Sequence, residues 1–325
     1  MNILILSAGT RNKIVGAFKK ELAGEGSVIA TDCSDAAPAL YAADRAYIVP
    51  RITEPGYIDR ILEICKKEKA DAVFSLIDPE LSLIAKERER FEEVGTKVIV
   101  SSYELCETCL DKYSMYRLLK SKGIATIDTY LTKEDFFEAK NQGKARYPVF
   151  VKPRYGSASL NISTADSDAA VANLMGQIPD LMIQERMTGD EYGCDVYVDL
   201  ISGKCTGIFL KKKIRMRAGE TDKSVSVHDE EVMSMAASFA EQCGFRGMID
   251  IDLFLQDGVW YLSEVNPRFG GGYPHAYACG VNFPAMLIKN LKGQENEPCD
   301  CGYEDGIYMM KYNEIMIVRE KDLIR

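Results

Sequence analysis

The chain begins with an unbroken apolar run, "NILILSAG", that ends in small residues, and the stretch behind it, "TRNKIVGAFKKELAG", has apolar positions at helical spacing. A second apolar run, "SVIATDC", reaches Asp32, and "RAYIVP" is a short third. The amphipathic "YIDRILEICKKEK" precedes "ADAVFSLI", and "DPELSLIAKERERFEEVG" precedes "TKVIVS". Strands alternating with helices predict a parallel, doubly wound α/β sheet over residues 1–105. Ligands bind such sheets beyond the carboxyl ends of their strands, which singles out "LIDPEL", residues 76–81. Asp78 is expected to cap the helix that follows, with Pro79 at its first position. Glu80 is expected to meet a substrate ammonium.

After Ser101 the pattern changes. "SYELCETCLDKYSMYRLLKSKG" reads as helix, and "YPVFVKP", "DLMIQERM", "YGCDVYVDL" and "GIFLKKKIRMR" read as strands. "DEEVMSMAASFAEQCG" is a long helix, and "GMIDIDLFLQDGVWYLSEVNPR" is a hairpin. This part is α+β, dominated by antiparallel sheet. The expected division is 1–105, 106–184 and 185–325.

The hairpin carries the most chemistry. Strand side chains alternate, so in "LSEVNPRFGGG" Glu264, Asn266 and Arg268 share one face while Ser263, Val265 and Pro267 take the other. The outgoing strand carries Asp250 and Asp252. Two registers are open. A two-residue loop, Asp257-Gly258, sets Asp252 opposite Ser263 and away from Glu264. A three-residue loop with Gly258 in a left-handed bulge pairs Asp250 with Glu264 and sets Asp252 diagonally beside it. The second is expected. It gathers Asp250, Asp252, Glu264 and Asn266 on one face and leaves Met248, Ile251, Leu253 and Val265 to pack on the other. Crowded carboxylates need a cation, and hard oxygen donors with an amide suit Mg²⁺, which shares its shell with phosphates. Arg268 is then placed to grip a phosphate.

Such a site predicts further cations. Lys152 ends an apolar strand, and "YGSAS" behind it, with Ser157, is a small-residue loop whose backbone N–H groups suit phosphates. Lys112 stands at a helix start, where it opposes the helix dipole unless it has a partner. "LKKKIRMRAGETDK" concentrates Lys211, Lys212, Lys213, Arg215, Arg217 and Lys223. Residues 211–227 and 153–160 are expected as mobile covers.

Composition narrows the classes. With 40 Lys and Arg against 49 Asp and Glu, the net charge of −9 argues against non-specific binding to nucleic acid or an anionic membrane. No apolar run approaches a membrane span, and the opening run lacks the features of a secretory signal. The ten cysteines are therefore expected as reduced thiols in a cytoplasmic protein. Cys106/Cys109 and Cys299/Cys301 are close pairs, but an apolar helical stripe accounts for the first without zinc. An NAD(P)-dependent oxidoreductase would suit the opening strand, helix and Asp32, yet the G-x-G-x-x-G fingerprint is missing, with only Gly9 and Gly16 present.

Taken in order, "DK" before a helix, "VKP" with a small-residue loop, "QERMTGDEY", an acidic strand and "EVNPR" resemble an ATP-grasp enzyme over essentially the whole chain. Residues 1–105 resemble the domain that precedes the ATP-grasp fold. "EVNPR" is most similar to the carbamoyl phosphate synthase large subunit, and the spacing of Asp252 from Glu264 matches the biotin carboxylase branch. The resemblance implies a two-lobed domain with antiparallel sheets, 106–184 as the small lobe with its linking helix and 185–325 as the large one. It implies ATP and two Mg²⁺ ions as cofactors. Lys112, Lys152 and Ser157 would contact the phosphates, Glu185, Arg186 and Met187 the adenine, and Glu191 the ribose. Asp252, Glu264 and Asn266 would ligate metal, and Arg268, Lys211 and Arg217 would act on the transferred phosphoryl group. Glu80, Arg215, Gly271 and His275 are the candidate substrate contacts. The implied reaction is activation of a small-molecule carboxylate as an acyl phosphate, followed by capture with an amine. A carbamoyl phosphate synthase subunit using bicarbonate and ammonia is the alternative, and a homodimer stays open.

Overall fold

The computed structural model describes residues 1–156, 162–298 and 302–325. Ser157, Cys299 and Cys301 lie outside the described residues. The first unit runs β1 (Asn2–Leu6), α1 (Asn12–Leu22), β2 (Ser27–Asp32), α2 (Pro38–Ala42), β3 (Arg45–Ile48), α3 (Tyr57–Glu68), β4 (Ala72–Ser75), α4 (Asp78–Lys86), α5 (Arg88–Glu93) and β5 (Lys97–Val98). Its strands form a parallel sheet in the order β3-β2-β1-β4-β5. β1 is central, and Ile3 through Leu6 are fully buried because helices cover both faces of the sheet. Of the apolar run at "TKVIVS", only Lys97 and Val98 join the ladder.

Residues 103–121, expected as one helix, form two: α6 (Tyr103–Leu110) and α7 (Lys112–Ser121). Asp111 separates them. Its carboxylate accepts from the backbone N–H of Tyr113 at 3.1 Å and from Arg154 Nε at 2.7 Å. An acidic side chain that bonds the backbone two residues on ends one helix and caps the next. A four-stranded sheet follows, in the order β6-β9-β7-β8. It is built from β6 (Thr129–Tyr130), α8 (Lys133–Asn141), β7 (Val149–Pro153), β8 (Ser163–Ala165), α9 (Asp168–Gln177) and β9 (Leu181–Glu185).

The third sheet has six strands in the order β14-β13-β10-β11-β12-β15. Its elements are β10 (Asp190–Val198), β11 (Cys205–Arg217), β12 (Glu220–Ser226), α10 (Glu230–Cys243), β13 (Gly247–Gln256), β14 (Val259–Asn266), α11 (Tyr273–Ala278), α12 (Phe283–Leu291) and β15 (Tyr308–Met310). Residues 211–226 are not a loose cover. β12 is paired on both sides, by β11 and by β15, so the basic segment belongs to the sheet. Only its tip, from Ile214 to Gly219, is exposed.

The expected hairpin loop was wrong in length. Gln256 pairs with Val259, so the turn has two residues, Asp257 and Gly258, both with positive φ (52° and 77°) as a tight right-twisting hairpin requires. The acidic face is rescued further along. Leu253 pairs with Leu262 but Asp252 pairs with Glu264, so Ser263 is an extra residue in a β-bulge. The bulge resets the alternation. Leu253, Leu262, Ile251 and Val265 stay in the core, while Asp252, Glu264, Asp250 and Asn266 share the opposite face.

The first and third sheets share one continuous core. Phe269, directly after the metal-type motif, packs on Phe18 and Phe74 of the first unit at ring-centroid distances of 5.9 and 5.7 Å. The glycines that follow are close-packed rather than loose. A Cβ on Gly270 would lie 2.5 Å from the Asp250 carboxyl carbon, and one on Gly272 would lie 2.8 Å from Lys211 Cε.

Glu80 does not face a substrate. It is fully buried and accepts hydrogen bonds from the hydroxyls of Tyr57 and Ser75. Burial pushes its carboxyl above the ordinary glutamate range, against the opposing effect of those hydroxyls. A raised acid stabilises the fold fully below the ordinary glutamate pKa and loses that contribution as pH rises through the raised value. Glu80→Gln should therefore match the wild type in urea at about pH 5 and gain on it by about 1.4 kcal/mol per pH unit from there up to the raised value, above which the gap stays constant. A gap that does not change between about pH 5 and about pH 9 would show that Glu80 stays ionised.

Candidate active site

One face of the large sheet holds a patchwork of charge set by strand register. Gly193 on β10 lies opposite Asp252 of β13 on one side and Lys211 of β11 on the other. Asp195 lies opposite Asp250, Asp250 opposite Asn266, and Asp252 opposite Glu264. Lys211 and Lys213 share this face by alternation, whereas Lys212 turns away to Asp190. Gly193 is what lets two lysines cross here: a Cβ at that position would stand 3.2 Å from Lys211 Cε and 3.3 Å from Lys213 Cε.

The two lysines have different partners. Lys211 is buried and ion-pairs with the equally buried Asp195. It lies beneath the face and is not free to meet a phosphate. Burial pushes the Asp195 carboxyl up, and Lys211 opposes that. Lys213 is the lysine that reaches the acidic cluster. Its Nζ lies 2.5 Å from Asp252 Oδ1 and 2.8 Å from Glu191 Oε1. Burial alone would depress the Lys213 ammonium, but Asp252 and Glu191 carry it above the ordinary lysine value. Asp252 is raised by burial and by the neighbouring carboxylates of Asp250 and Glu264, with Lys213 opposing. Glu264 forms no ion pair among the described residues.

Arg268 is buried and held by two carboxylates, Asp78 Oδ2 at 3.0 Å and Asp250 Oδ2 at 3.3 Å. Asp78 therefore does not cap α4: Ile77 is the N-cap, Asp78 is the first helical residue, and its carboxylate reaches across to the other sheet. Asp78 Oδ1 is buried without a partner. Beside it, Arg11 at the start of α1 ion-pairs with Glu220 at 2.8 Å, and Glu220 also meets Lys311 at 2.8 Å. Gly271 abuts Glu220: a Cβ there would lie 2.9 Å from its carboxyl carbon.

From the small sheet, β7 delivers Lys152, whose side chain makes no hydrogen bond or ion pair among the described residues. Its ammonium is pulled down to about 8 by burial, with Lys112 acting the same way and Glu264 and Asp252 opposing. Lys152 thus feels the charge of the acidic face. Lys112 donates to the backbone carbonyl of Gly156, at the near end of the small-residue loop. Glu185 ends β9, and its backbone N–H donates to Asp128 at 3.0 Å. Arg186 lies over the Phe150 ring, and Met187 is half-buried in the short link to β10. The Gln256 side chain accepts from the backbone of Thr188 and Gly189, which ties that link to the large sheet.

Three candidates stand elsewhere. His275 is buried, with Nδ1 on the Ser224 hydroxyl at 2.8 Å and Nε2 on the Ile307 carbonyl at 3.0 Å. Burial lowers it to about 4, so it is a neutral packing residue and not a substrate contact. Arg215 and Arg217 are exposed at the β11–β12 tip, and Arg215 is only loosely paired with Asp222 at 3.9 Å. Lys213 was named from the sequence only as one of a basic cluster, and Asp195 and Arg11 were not singled out. The signal for Lys213 was present in "KKK", because every second residue of a strand shares a face.

Among the described residues no group of three or more His, Cys, Asp or Glu side chains is arranged to hold a metal ion. Asp252, Glu264 and Asn266 do supply two carboxylates and an amide on one face, and a cation, the Lys213 ammonium, already sits on Asp252. That donor set fits Mg²⁺, which takes few protein ligands and completes its shell with phosphate and water.

Residues 3–99 match the family described as "PylC-like, N-terminal domain", and residues 177–314 match "ATP-grasp in the biosynthetic pathway with Ter operon". The vancomycin B-type resistance protein VanB of Enterococcus faecalis is 30% identical over 61% of this chain and 65% of its own length. A putative D-alanine–D-lactate ligase of Streptomyces coelicolor is 27% identical over 56% of the chain and 60% of its own length. The match thus spans less than two thirds of these relatives. Among solved structures, the biotin carboxylase domain of the Hydrogenobacter thermophilus 2-oxoglutarate carboxylase superposes with a TM-score of 0.74 at 17% identity, over 94% of this chain and 73% of that one. With a parallel first sheet, two antiparallel sheets and these matches along the chain, the protein belongs to the ATP-grasp superfamily.

Proposed function

We propose that this chain is an ATP-dependent ligase that activates a small-molecule carboxylate as an acyl phosphate and joins it to an amine. The observation that carries the reading is the acidic face of Asp252, Glu264 and Asn266, whose charge reaches a lysine, Lys152, that forms no ion pair among the described residues. Two carboxylates suit a cation and a nearby lysine suits the anion that the cation carries, which is how a metal-bound polyphosphate presents itself. The D-alanine–D-lactate ligase relative supports the same class of reaction. The free thiols of the described cysteines support a reducing, cytoplasmic setting.

In this reading Asp252, Glu264 and Asn266 would hold magnesium, as two ions. Magnesium would neutralise the phosphate oxygens and polarise the phosphorus. Lys152 and Lys112 hold the phosphates from the small sheet, and Glu185 with the 186–187 backbone borders the base. Glu191, turned toward Lys213, is open enough to take a ribose hydroxyl. The carboxylate substrate attacks the γ-phosphorus, the bond to the β-phosphate oxygen breaks, and ADP leaves. The amine then attacks the acyl carbon, phosphate leaves, and the amine loses a proton. No side-chain nucleophile is needed. Arg268, locked between Asp78 and Asp250, holds a fixed positive charge beside the metal strand, where preorganised charge counts most. With Glu80 and His275 buried, Glu220, which is partly exposed and paired with Arg11 and Lys311, borders the junction of the two sheets where substrate would be recognised.

Asp252→Asn and Glu264→Gln should keep the fold and lose ATP turnover by roughly 10²-fold or more, because each removes a charge that the phosphoryl transfer uses. Steady-state ADP release checks this, and wild-type rates in either variant would remove both residues from the site. The Lys152 ammonium is present below about 8 and lost above it. kcat/KM for ATP, which reports the free enzyme, should therefore fall as pH rises past that value. Lys152→Arg should move the falling limb to higher pH, and an unchanged profile would show that Lys152 does not meet ATP.

Hydroxylamine tests the reaction itself. It traps an acyl phosphate as a hydroxamate. The protein offered ATP, magnesium, hydroxylamine and a panel of amino acids and other small carboxylates should form ADP and one hydroxamate. If no carboxylate gives either product while bicarbonate stimulates ATP hydrolysis, the carbamoyl phosphate reading replaces this one.

A further inference from the structure

Lys213 occupies an unusual position for a lysine beside a metal-type site. Its side chain is only 4% exposed, while its partners Asp252 and Glu191 are 26% and 32% exposed. The cation is thus the buried member of the cluster and the carboxylates face the cleft. Its stem runs past Gly193, and it lies opposite Ser224 of the interior strand β12. Packing on both sides keeps the ammonium from withdrawing into water. Asp252 is therefore claimed from below by Lys213 and pairs across the strands with Glu264, the other candidate metal carboxylate.

A divalent cation bound by Asp252 and Glu264 would stand next to this ammonium. Two like charges sharing one carboxylate repel strongly where water is scarce. Once Asp252 is engaged, Glu191 is the one ion-pair partner left to Lys213 among the described residues. We propose that Lys213 and the divalent cation compete for Asp252, so that metal enters the site efficiently only together with nucleotide phosphates, which supply the Lys213 ammonium with a new anion. Lys213 is in this sense a positioning residue that couples metal binding to nucleotide binding. The inference rests on the nucleotide–metal reading above and adds an order of events to it.

Mn²⁺ titrated alone into the nucleotide-free protein, followed by electron paramagnetic resonance, tests it. Lys213→Met should bind Mn²⁺ roughly tenfold or more tightly than the wild type, since one buried like charge is removed. Its thermal midpoint should rise with Mn²⁺ alone, while that of the wild type should not. Lys213→Arg keeps the charge and should exclude Mn²⁺ as the wild type does. A non-hydrolysable ATP analogue should tighten Mn²⁺ binding far more in the wild type than in Lys213→Met. Equal or weaker Mn²⁺ binding by Lys213→Met, or tight binding by Lys213→Arg, overturns the competition while leaving the nucleotide site standing. A wild type that binds no Mn²⁺ even with the analogue overturns both.

Discussion

The Arg268 guanidinium is the contact on which the arrangement of the molecule turns. It is nearly buried, and it is held by Asp78 from the first sheet and Asp250 from the large one. A buried charge of this kind is tolerated only while its partners remain, and removing one typically costs about 3–5 kcal/mol. The pair therefore fixes α4 against β13. The next residue, Phe269, extends the same junction as an apolar plug against Phe18 and Phe74. Gly270 then has to be glycine, because a side chain would displace Asp250. Charge, aromatic packing and close backbone approach act within three consecutive residues to hold the acidic strand against the end of the parallel sheet.

From that anchor the charges run outward in matched sets. Lys211 is satisfied by Asp195, Lys213 by Asp252 and Glu191, and Arg11 by Glu220. Buried ion pairs are poor sources of stability compared with apolar packing of the same volume. A sheet face that carries several of them is better suited to holding fixed charge in a low dielectric, where it acts on a bound anion without reorganising. Lys152, on the small sheet, forms no ion pair among the described residues, and its value is depressed because burial outweighs the opposing charge of Glu264 and Asp252.

Much of this was legible in the chain. The apolar runs and amphipathic stretches located the parallel sheet and the antiparallel architecture that follows it. Alternation along "LSEVNPR" put Glu264, Asn266 and Arg268 together, and spacing drew Asp252 in. The failures have local causes. Helical periodicity over 103–121 hid the break at Asp111, because the competing bond comes from Arg154, more than forty residues away. Glu80 and His275 looked like ligands because their neighbours in sequence border the site, yet both turn into the core, where Tyr57, Ser75 and Ser224 satisfy them.

The sequence by itself determined the period of each element, and hence which side chains of one strand can share a face. It did not determine the phase between strands. The Asp257-Gly258 turn alone would have put Asp252 and Glu264 on opposite faces, and the extra residue at Ser263 reverses that. A bulge is stabilised by the packing of Leu253 and Leu262 on one side and Ile251 and Val265 on the other, contacts that exist only once the sheet has formed. The same holds for Lys211 and Lys213. Both point one way along β11, but which of them meets Asp195 and which meets Asp252 follows from the register of β10, β11 and β13, a relation among segments that are distant in the chain.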